Sequence, residues 1–220
     1  MIRILVADDH SIVREGLKQI LARHTDLIVA GEAANGNDVL RMVRSEVWDV
    51  LVTDMSMPGR NGLELIKLVK QAQPALPVLV LSMYDEEQYA VRAIRAGASG
   101  YINKESASEQ LVSAIRKVAA GGVHVSPAVT QAMLHTLRGA QGAQAHEQLS
   151  DRELQVLQLI AGGKSIADIA QQLSLSPKTV STHKSRILEK MSMTNQAELI
   201  RYAIEHRLVD APQAAPNAGT

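Results

Sequence analysis

Two kinds of apolar pattern alternate over the first half of this 220-residue chain, and this alternation restricts the fold more strongly than any other feature. Short continuous apolar runs predict buried strands, and stretches with apolar residues three or four positions apart predict helices between them. Strands that alternate with helices form a mostly parallel sheet covered on both faces, which indicates a doubly wound α/β fold. The predicted strands are residues 2–7, 28–30, 50–53, 78–81 and 100–102.

Right-handed crossovers leave few ways to connect five parallel strands, and the flavodoxin-like order 2-1-3-4-5 is the natural one. In such a sheet, ligands bind where the carboxyl ends of strands 1 and 3 meet. Asp8 and Asp9 end strand 1, and Asp54 ends strand 3. Three carboxylates in one pocket repel one another, so the pocket favours a hard divalent cation such as Mg²⁺.

The same sheet edge gathers a hydroxyl and an ammonium group, because Ser82 ends strand 4 and Lys104 follows strand 5. A carboxylate there can attack a phosphoryl group to form an acyl phosphate, while the cation, the lysine and the hydroxyl stabilise the transferring oxygens. Taken singly, each residue is more often a turn, cap or solvated surface residue. The hypothesis depends on all five residues falling at one edge of the sheet.

Two finer predictions concern helices of this region. The pattern Ser106-x-x-Glu109 predicts a capping box at the start of the last helix. Apolar residues of the first helix are expected to share one face: Ile12, Val13, Leu17, Ile20 and Leu21.

From Leu149 onward the pattern is helical only. A capping box, Ser150-x-x-Glu153, starts a helix with Leu154, Leu157 and Ile160 on its buried face. A short helix at 165–173 and a tight turn follow, and Ser176 then caps a third helix with Pro177 at its first position. This succession is typical of a helix-turn-helix, whose third helix enters the major groove of DNA.

Charge and composition narrow the functional classes. The formal net charge is zero, but Lys178, Lys184, Arg186 and Lys190 lie close together against Glu189, so DNA affinity is expected to be local and salt-sensitive. The absence of cysteine excludes disulfides, thiolate metal sites and cysteine nucleophiles, and it fits a cytoplasmic location. No apolar run approaches the length of a membrane span and the N-terminus lacks the pattern of a signal peptide, so no membrane partner is expected.

Residues 1–121 resemble the receiver domain of two-component response regulators. The resemblance is carried by Asp8-Asp9, Asp54-Met-Ser-Met-Pro58-Gly59, Ser82 and Gly97-Ala-Ser-Gly-Tyr101-Ile-Asn-Lys104. It implies that Asp54 is the phosphoacceptor, that Ser82 and Lys104 hold the phosphoryl oxygens, and that Tyr101 is an aromatic switch. It also implies that Asp8, Asp9, Asp54 and the backbone carbonyl of Ser56 bind Mg²⁺. Two positions depart from the family pattern: Glu105 stands where many receivers have a cis-proline, and Met83 is bulkier than usual.

Residues 149–209 resemble the LuxR-type helix-turn-helix of the NarL/FixJ response-regulator family. The matching residues are Leu149-Ser-Asp-Arg-Glu153, Val156-Leu157, Gly163-Lys-Ser-Ile-Ala-Asp-Ile-Ala170, Leu173, Ser176-Pro-Lys-Thr-Val180, His183, Ile187, Lys190-Met191 and Glu198-Leu-Ile. The resemblance implies that Ser181, Thr182, Lys184 and Ser185 face the groove. It implies that Lys178, Thr179, His183 and Lys190 contact the DNA backbone, and that a last helix at 195–206 forms a dimer contact. Asn195-Gln196 and Ile166 depart from common family residues.

These resemblances lead to a cytoplasmic transcription regulator in which a histidine kinase phosphorylates Asp54 and thereby controls homodimerisation and binding to double-stranded DNA. It is not an enzyme, apart from autocatalysed phosphotransfer to, and dephosphorylation of, its own aspartate. The predicted organisation is a receiver domain at 1–121, a linker with a short helix at 122–148, a DNA-binding domain at 149–209 and a disordered tail at 210–220.

Three other hypotheses remain compatible with the residues. Asp54 could be the nucleophile of a phosphohydrolase, although no cap domain or second catalytic loop is visible. The chain could regulate transcription without phosphate, through its concentration or a protein partner. The helical domain could bind a protein instead of DNA, as an ordinary helical bundle with a solvated face.

Overall fold

A computed structural model describes residues 1–57, 62–83, 86–137, 145–173, 175–206 and 208–209 of the chain. The chain divides into two compact units, Met1–Gln141 and Gly142–Thr220. Pro58 and Gly59, residues 138–144 of the predicted linker and the predicted disordered tail lie outside the described residues. None of the helices in the described part of the chain combines the length and apolar character that crossing a bilayer requires.

The first unit is a five-stranded parallel sheet with helices between its strands. The strand order β2-β1-β3-β4-β5 confirms the predicted doubly wound arrangement. The strands are β1 (Ile2–Ala7), β2 (Leu27–Ala33), β3 (Val50–Asp54), β4 (Val78–Ser82) and β5 (Gly100–Asn103). The helices are α1 (Ser11–Leu21), α2 (Gly36–Ser45), α3 (Gly62–Ala72), α4 (Glu86–Ala96), α5 (Ala107–Ala119) and α6 (Pro127–Leu137).

Aliphatic side chains form the core of this unit, as expected for a chain without phenylalanine. Val52 and Leu79 from the central strands pack in one cluster with Leu17 of α1 and Ile115 of α5. All residues of β3 and β4 are buried, which is why these strands appear in the sequence as continuous apolar runs. The centre of the sheet is therefore fully buried, and the carboxyl ends of β1 and β3 lie side by side there.

Two of the finer predictions are wrong. Ile12 is 81% exposed, because at about 100° per residue it lies half a turn away from the buried Leu21 on α1. Ser106 does not cap α5 with its side chain; its hydroxyl donates instead to the carbonyl oxygen of Asn103 (3.1 Å). A short 3-10 turn at Lys104–Ser106 precedes α5 and takes the place of the predicted capping box.

The segment after α5 lies along the free edge of β5. The Tyr101 amide donates to the carbonyl oxygen of His124 (2.9 Å), and the His124 amide donates to the carbonyl oxygen of Ser99 (3.0 Å). A side chain at Gly100 would not fit there, since an added Cβ would lie 2.9 Å from the His124 carbonyl oxygen. Helix α6 continues from this segment, buries Val129 and packs against α4.

In the second unit, the described residues form a 3-10 turn at Ala145–Gln148 and four α-helices: α7 (Asp151–Ala161), α8 (Ile166–Gln172), α9 (Pro177–Lys190) and α10 (Gln196–Glu205). Ser150 and Glu153 form the predicted capping box at α7. Ser165 and Asp168 form a second one at α8, which the sequence analysis did not identify. Leu154, Leu157 and Ile160 are buried as predicted, and they form a core with residues of the other helices, including Val180, Ile187 and Leu199.

Candidate functional site

Parallel strands bring the acidic residues of the first unit together at one sheet edge. Asp54 is the last residue of β3, and Asp8 and Asp9 follow β1, its neighbour in the sheet. Asp8 and Asp54 are buried, whereas Asp9 is partly exposed. The pocket therefore holds two carboxylates that water reaches poorly and one at its rim.

Lys104 joins the two buried carboxylates. Its Nζ lies 2.7 Å from Asp8 Oδ2 and 3.1 Å from Asp54 Oδ2. The lysine begins the turn after β5, so the sheet order places it across β4 from Asp54. One ammonium group thus offsets part of the charge of two carboxylates in a poorly solvated pocket.

Burial sets the direction of the pKa shift of Asp54, whereas the neighbouring carboxylates set that of Lys104. Burial raises the pKa of the Asp54 carboxyl, and the neighbouring charge of Asp8 adds to the rise while Lys104 opposes it. Burial by itself would lower the pKa of Lys104, but the hydrogen bond and charge of Asp8 and the charge of Asp54 outweigh it and raise the pKa. The lysine therefore stays cationic, and the pocket stays short of positive charge.

The donor set of this pocket fits a divalent cation. Ligand atoms of Asp8, Asp9, His10 and Asp54 lie within 4.8 Å of one another. Asp9 Oδ1 is shielded from solvent and accepts no hydrogen bond from the described residues, although His10 Nδ1 lies 2.9 Å away. A cation with oxygen ligands would satisfy this oxygen and reduce the carboxylate repulsion. The acidic cluster is thus compatible with Mg²⁺.

His10 is a member of this cluster that sequence reasoning missed. Its backbone amide donates to Asp8 Oδ1 (2.8 Å), and its Nδ1 lies 3.2 Å from the same oxygen. The signal was its position directly after the two aspartates, but a single exposed histidine carries little information without the fold.

The other predicted residues of the site lie along the same sheet edge or next to it. Ser82, the last residue of β4, is fully buried, and Tyr101 in β5 is buried as well. The backbone amide of Ser56 donates to the Asp54 carboxylate, so this loop approaches the pocket. The Met83 side chain is largely exposed directly after Ser82.

Helix α9 presents the predicted hydroxyl face to solvent. Ser176 caps the helix by accepting from the Thr179 amide (3.0 Å), and Pro177 opens it, as predicted. Lys178, Ser181, Thr182 and Ser185 are exposed. The hydroxyls of Ser181, Thr182 and Ser185 each donate to the carbonyl oxygen four residues earlier, which leaves their lone pairs accessible from outside the helix. Arg186 is also exposed, although it was not among the predicted contacts.

Two of the remaining predicted DNA contacts, Lys184 and Lys190, already bind other side chains of the protein. Lys184 Nζ donates to Gln196 Oε1 (2.7 Å), and Lys190 Nζ lies 2.6 Å from Glu153 Oε2. His183 is half-buried, with an Nδ1 that makes no hydrogen bond within the described residues, and burial together with the charge of Arg152 lowers its pKa. Thr179 is half-buried.

Comparison with known families accounts for both units. The model of the response regulator receiver domain matches residues 4–116, and the model of the LuxR family of bacterial regulatory proteins matches residues 147–203. The response regulator GacA of Pseudomonas aeruginosa is 39% identical over 212 residues, which cover 96% of this chain and 99% of that protein. The oxygen regulatory protein NreC of Staphylococcus carnosus is 37% identical over 215 residues, covering 94% and 99%.

Solved structures of RcsB resemble this chain over most of its length. RcsB from Salmonella enterica serovar Typhimurium, bound to the promoter rprA in the presence of the phosphomimetic BeF3-, superposes with a TM-score of 0.65 at 27% identity, covering 91% of this chain and 97% of that one. An RcsB–DNA complex gives a TM-score of 0.57 at 27% identity, covering 91% and 96%.

Proposed function

The chain belongs to the response regulators that join a receiver domain to a LuxR-type DNA-binding domain, and from this membership we propose that phosphorylation of Asp54 controls its binding to DNA. It is a DNA-binding transcription regulator of a two-component system. The observation that carries the proposal is the position of Asp54, buried beside Asp8 and 3.1 Å from the ammonium of Lys104.

The chemistry of the pocket supports phosphoryl transfer to Asp54. A carboxylate oxygen of Asp54 forms a bond to phosphorus while the bond from phosphorus to the donor's leaving atom breaks. Lys104 offsets the charge of the phosphoryl oxygens, and the Ser82 hydroxyl donates a hydrogen bond to one of them. Water later attacks the phosphorus, the bond between phosphorus and the Asp54 oxygen breaks, and inorganic phosphate leaves as the carboxylate is restored. We propose no catalysis beyond this transfer to, and hydrolysis at, Asp54.

Mg²⁺ is the cation that fits this oxygen donor set best. Asp8, Asp9, Asp54 and the backbone carbonyl of Ser56 would hold it, with Asp8 acting in part through water. When bound, it supplies positive charge to the phosphoryl oxygens. Its charge would also offset the part of the carboxylate charge that Lys104 alone does not offset.

The phosphate donor and the output follow from the family. The donor is a sensor histidine kinase, and the output is binding to double-stranded DNA as a homodimer. One of the similar solved structures contains two RcsB dimers bound to two parallel DNAs. Ser82 ends β4, and Tyr101 lies in the neighbouring strand β5 opposite Val80. In this proposal, a phosphoryl group on Asp54 moves Ser82, and Tyr101 repacks in response. The protein acts in the cytoplasm, where its DNA target lies.

Helix α9 is the recognition helix of this proposal. Its exposed hydroxyls and Lys178 suit the major groove and the flanking phosphates. Lys184, Thr179 and His183 are further proposed contacts. Lys190 is a predicted backbone contact whose ammonium is already engaged by Glu153.

The test combines phosphate incorporation with DNA retention in the full chain. Wild type, Asp54→Ala and the control Asp38→Ala are incubated with Mg²⁺ and acetyl phosphate, and mass spectrometry measures phosphoryl addition. Asp38 is a matched control because it lies on α2, paired with Arg41, and does not belong to the acidic cluster of Asp8, Asp9, His10 and Asp54. We expect one phosphoryl group on wild type and on Asp38→Ala, none on Asp54→Ala, and tighter DNA binding with a larger solution mass only in the two phosphorylated proteins.

Two outcomes contradict this proposal. Equal phosphorylation of Asp54→Ala would place the acceptor elsewhere, and unchanged DNA binding after full phosphorylation would favour a regulator that works without phosphate. Continued turnover of an added phosphoester would instead support a phosphohydrolase. If a small donor leaves wild type unmodified, a phosphorylated histidine kinase replaces it, since the exposed Met83 beside the pocket can hinder small donors.

A further inference from the structure

Two consecutive residues in the first turn of α7 reach the two helices of the helix-turn-helix. Arg152 donates from its guanidinium to the carbonyl oxygen of Leu173 at the end of α8 (2.8 Å). Glu153 accepts from Lys190 Nζ at the end of α9 (2.6 Å). One turn of α7 thus holds the C-terminal ends of both helices, although Lys190 lies 37 residues from Glu153 in the sequence.

Glu153 is built into the protein as a buried anion. Its side chain is only 5% exposed, whereas that of Lys190 is 40% exposed. The same oxygen, Oε2, also accepts from the backbone amide of Ser150 (2.8 Å) and from the Ser150 hydroxyl (2.9 Å). Burial would raise the pKa of Glu153, but the hydrogen bonds from Lys190 and Ser150 outweigh it and lower the pKa. The carboxylate is therefore charged at neutral pH, and Lys190 is the cation that pairs with it.

We propose that Lys190 is a positioning residue of the DNA-binding unit, which locks the end of α9 to α7 through Glu153 instead of neutralising a DNA phosphate. The proposal rests on the proposed DNA-binding function. Without this ion pair, the buried carboxylate would lose its cation, and α9 would lose its polar link to the start of α7. The angle at which α9 is presented to the groove depends on that link.

Lys178 provides the contrast within the same helix. It lies in the first turn of α9, is exposed, and forms no ion pair within the described residues. A lysine in this position can release a counterion from DNA on binding, whereas an ammonium already paired with a carboxylate cannot do so to the same extent. The two roles predict different salt dependences, because each phosphate contact adds about 0.9 to the slope of log K against log salt.

The experiment measures the affinity of the full chain for a fluorescently labelled duplex of mixed sequence, between about 50 and 200 mM salt. Four variants are compared with wild type: Lys178→Met, Lys190→Met, Glu153→Gln and the double variant Glu153→Gln/Lys190→Met. Circular dichroism at the binding temperature verifies that each is folded. The double variant is needed because Lys190→Met alone leaves a buried charge unpaired, whereas the double variant leaves none.

We expect Lys178→Met to lower the slope by about one. Lys190→Met is expected to weaken binding roughly tenfold at every salt concentration without changing the slope. Glu153→Gln should weaken binding to a similar extent, and the double variant should be no weaker than either single variant, since both residues act through one link.

A phosphate-contacting lysine gives the opposite pattern. The slope would fall by about one between Glu153→Gln and the double variant, and this difference overturns the proposal even if Lys190→Met does not fold. Additive losses from Glu153→Gln and Lys190→Met would overturn it as well. Wild type that binds no DNA would overturn the proposed function together with this inference, whereas the slope difference would overturn this inference alone.

Discussion

The receiver pocket and the recognition helix α9 hold their functional groups in opposite environments. In the pocket, Lys104, Asp8 and Asp54 are charged groups with little access to water, and each depends on the others. On α9, Lys178 and Ser181 are exposed and independent of one another. The difference teaches that the proposed phosphate chemistry depends on a few coupled groups, whereas the proposed DNA contacts of α9 are small, salt-screened contributions.

The largest expected effect tests the coupling inside the pocket. Lys104→Met leaves two buried carboxylates without their cation, so we expect the free energy of unfolding of the receiver to fall by about 3–5 kcal/mol in metal-free buffer at neutral pH. Urea unfolding followed by the fluorescence of Trp48 measures it, because this single tryptophan is buried in the receiver. Added Mg²⁺ should return part of the loss.

Lys117→Met is the control for that experiment. Lys117 lies exposed on α5, and its loss should change stability by no more than about 0.5 kcal/mol. If Lys117→Met loses as much free energy of unfolding as Lys104→Met, the contrast between the two regions is wrong. The sensitivity of the pocket would then not come from the burial of its charges.

A second prediction concerns the packing at the start of β5. Gly100→Ala places a methyl group 2.8 Å from Leu79 Cδ1 and 2.9 Å from the His124 carbonyl oxygen, so we expect a loss of about 2 kcal/mol. Hydrogen exchange at the amides of Tyr101 and His124 should accelerate as the edge pairing loosens. In Gly16→Ala the added methyl group meets no atom within 4 Å on α1, and this control should gain about 0.5–1 kcal/mol. Unchanged exchange in Gly100→Ala would contradict the prediction.

A third prediction concerns the N-terminal cap of the exposed helix α9. Ser176→Ala removes the hydroxyl that accepts from the Thr179 amide, and the first turn of α9 should lose about 1 kcal/mol. Hydrogen exchange of the α9 amides measures this locally. Ser185→Ala is the matched control, because its hydroxyl only donates to a carbonyl of its own helix, and it should change exchange by less than half as much. If Ser176→Ala lost as much stability as Lys104→Met, the two regions would no longer differ in the way proposed.

The smallest expected effect concerns an exposed ion pair of the receiver. It tests whether the strength of an ion pair depends on its burial and not on the domain in which it lies. Arg116 of α5 donates twice to Asp26 at an exposed site of the receiver (2.8 Å each). The hydrogen bond from Arg116 lowers the pKa of Asp26 from 3.8 to about 2. A lowered folded-state pKa stabilises the protein above pH 3.8, and this stabilisation disappears as the pH falls through about 2.

Arg116→Met should therefore lower the urea midpoint slightly at neutral pH, and the difference from wild type should vanish on acidification. Asp26→Asn is the matched partner, and combining the two substitutions should add nothing. A difference that persists at low pH would assign the effect to lost packing of the arginine instead of to the ion pair.

Local patterns were sufficient for most of the fold and for part of the pocket. Continuous apolar runs predicted the strands of a parallel sheet, and the order of that sheet brings the ends of β1 and β3 together whatever the details of the side chains. The places of Asp8 and Asp54 followed from this. The misplacement of Ile12 shows the limit, because one residue of phase error on a helix turns a side chain from the core to solvent.

The partners of three side chains were not predictable in the same way, two of them near in the sequence and one distant. His10 belongs to the acidic cluster only because the loop after β1 turns it back toward Asp8. The pattern Ser106-x-x-Glu109 predicts a capping box, but the 3-10 turn before α5 directs the Ser106 hydroxyl to the carbonyl oxygen of Asn103. Lys190 looked like one of several equivalent cations on α9, and its pairing with Glu153 depends on how α7 packs against α9.

The sequence by itself therefore determined the sheet and the helix caps, such as those of Ser150 and Ser176, because periodicity and capping act over a few neighbouring residues. The tertiary structure decided which charges are buried and which are paired. Burial and distance between charges set the pKa directions of Asp54 and Lys104 and the engagement of Lys190, and both quantities exist only after distant segments have packed.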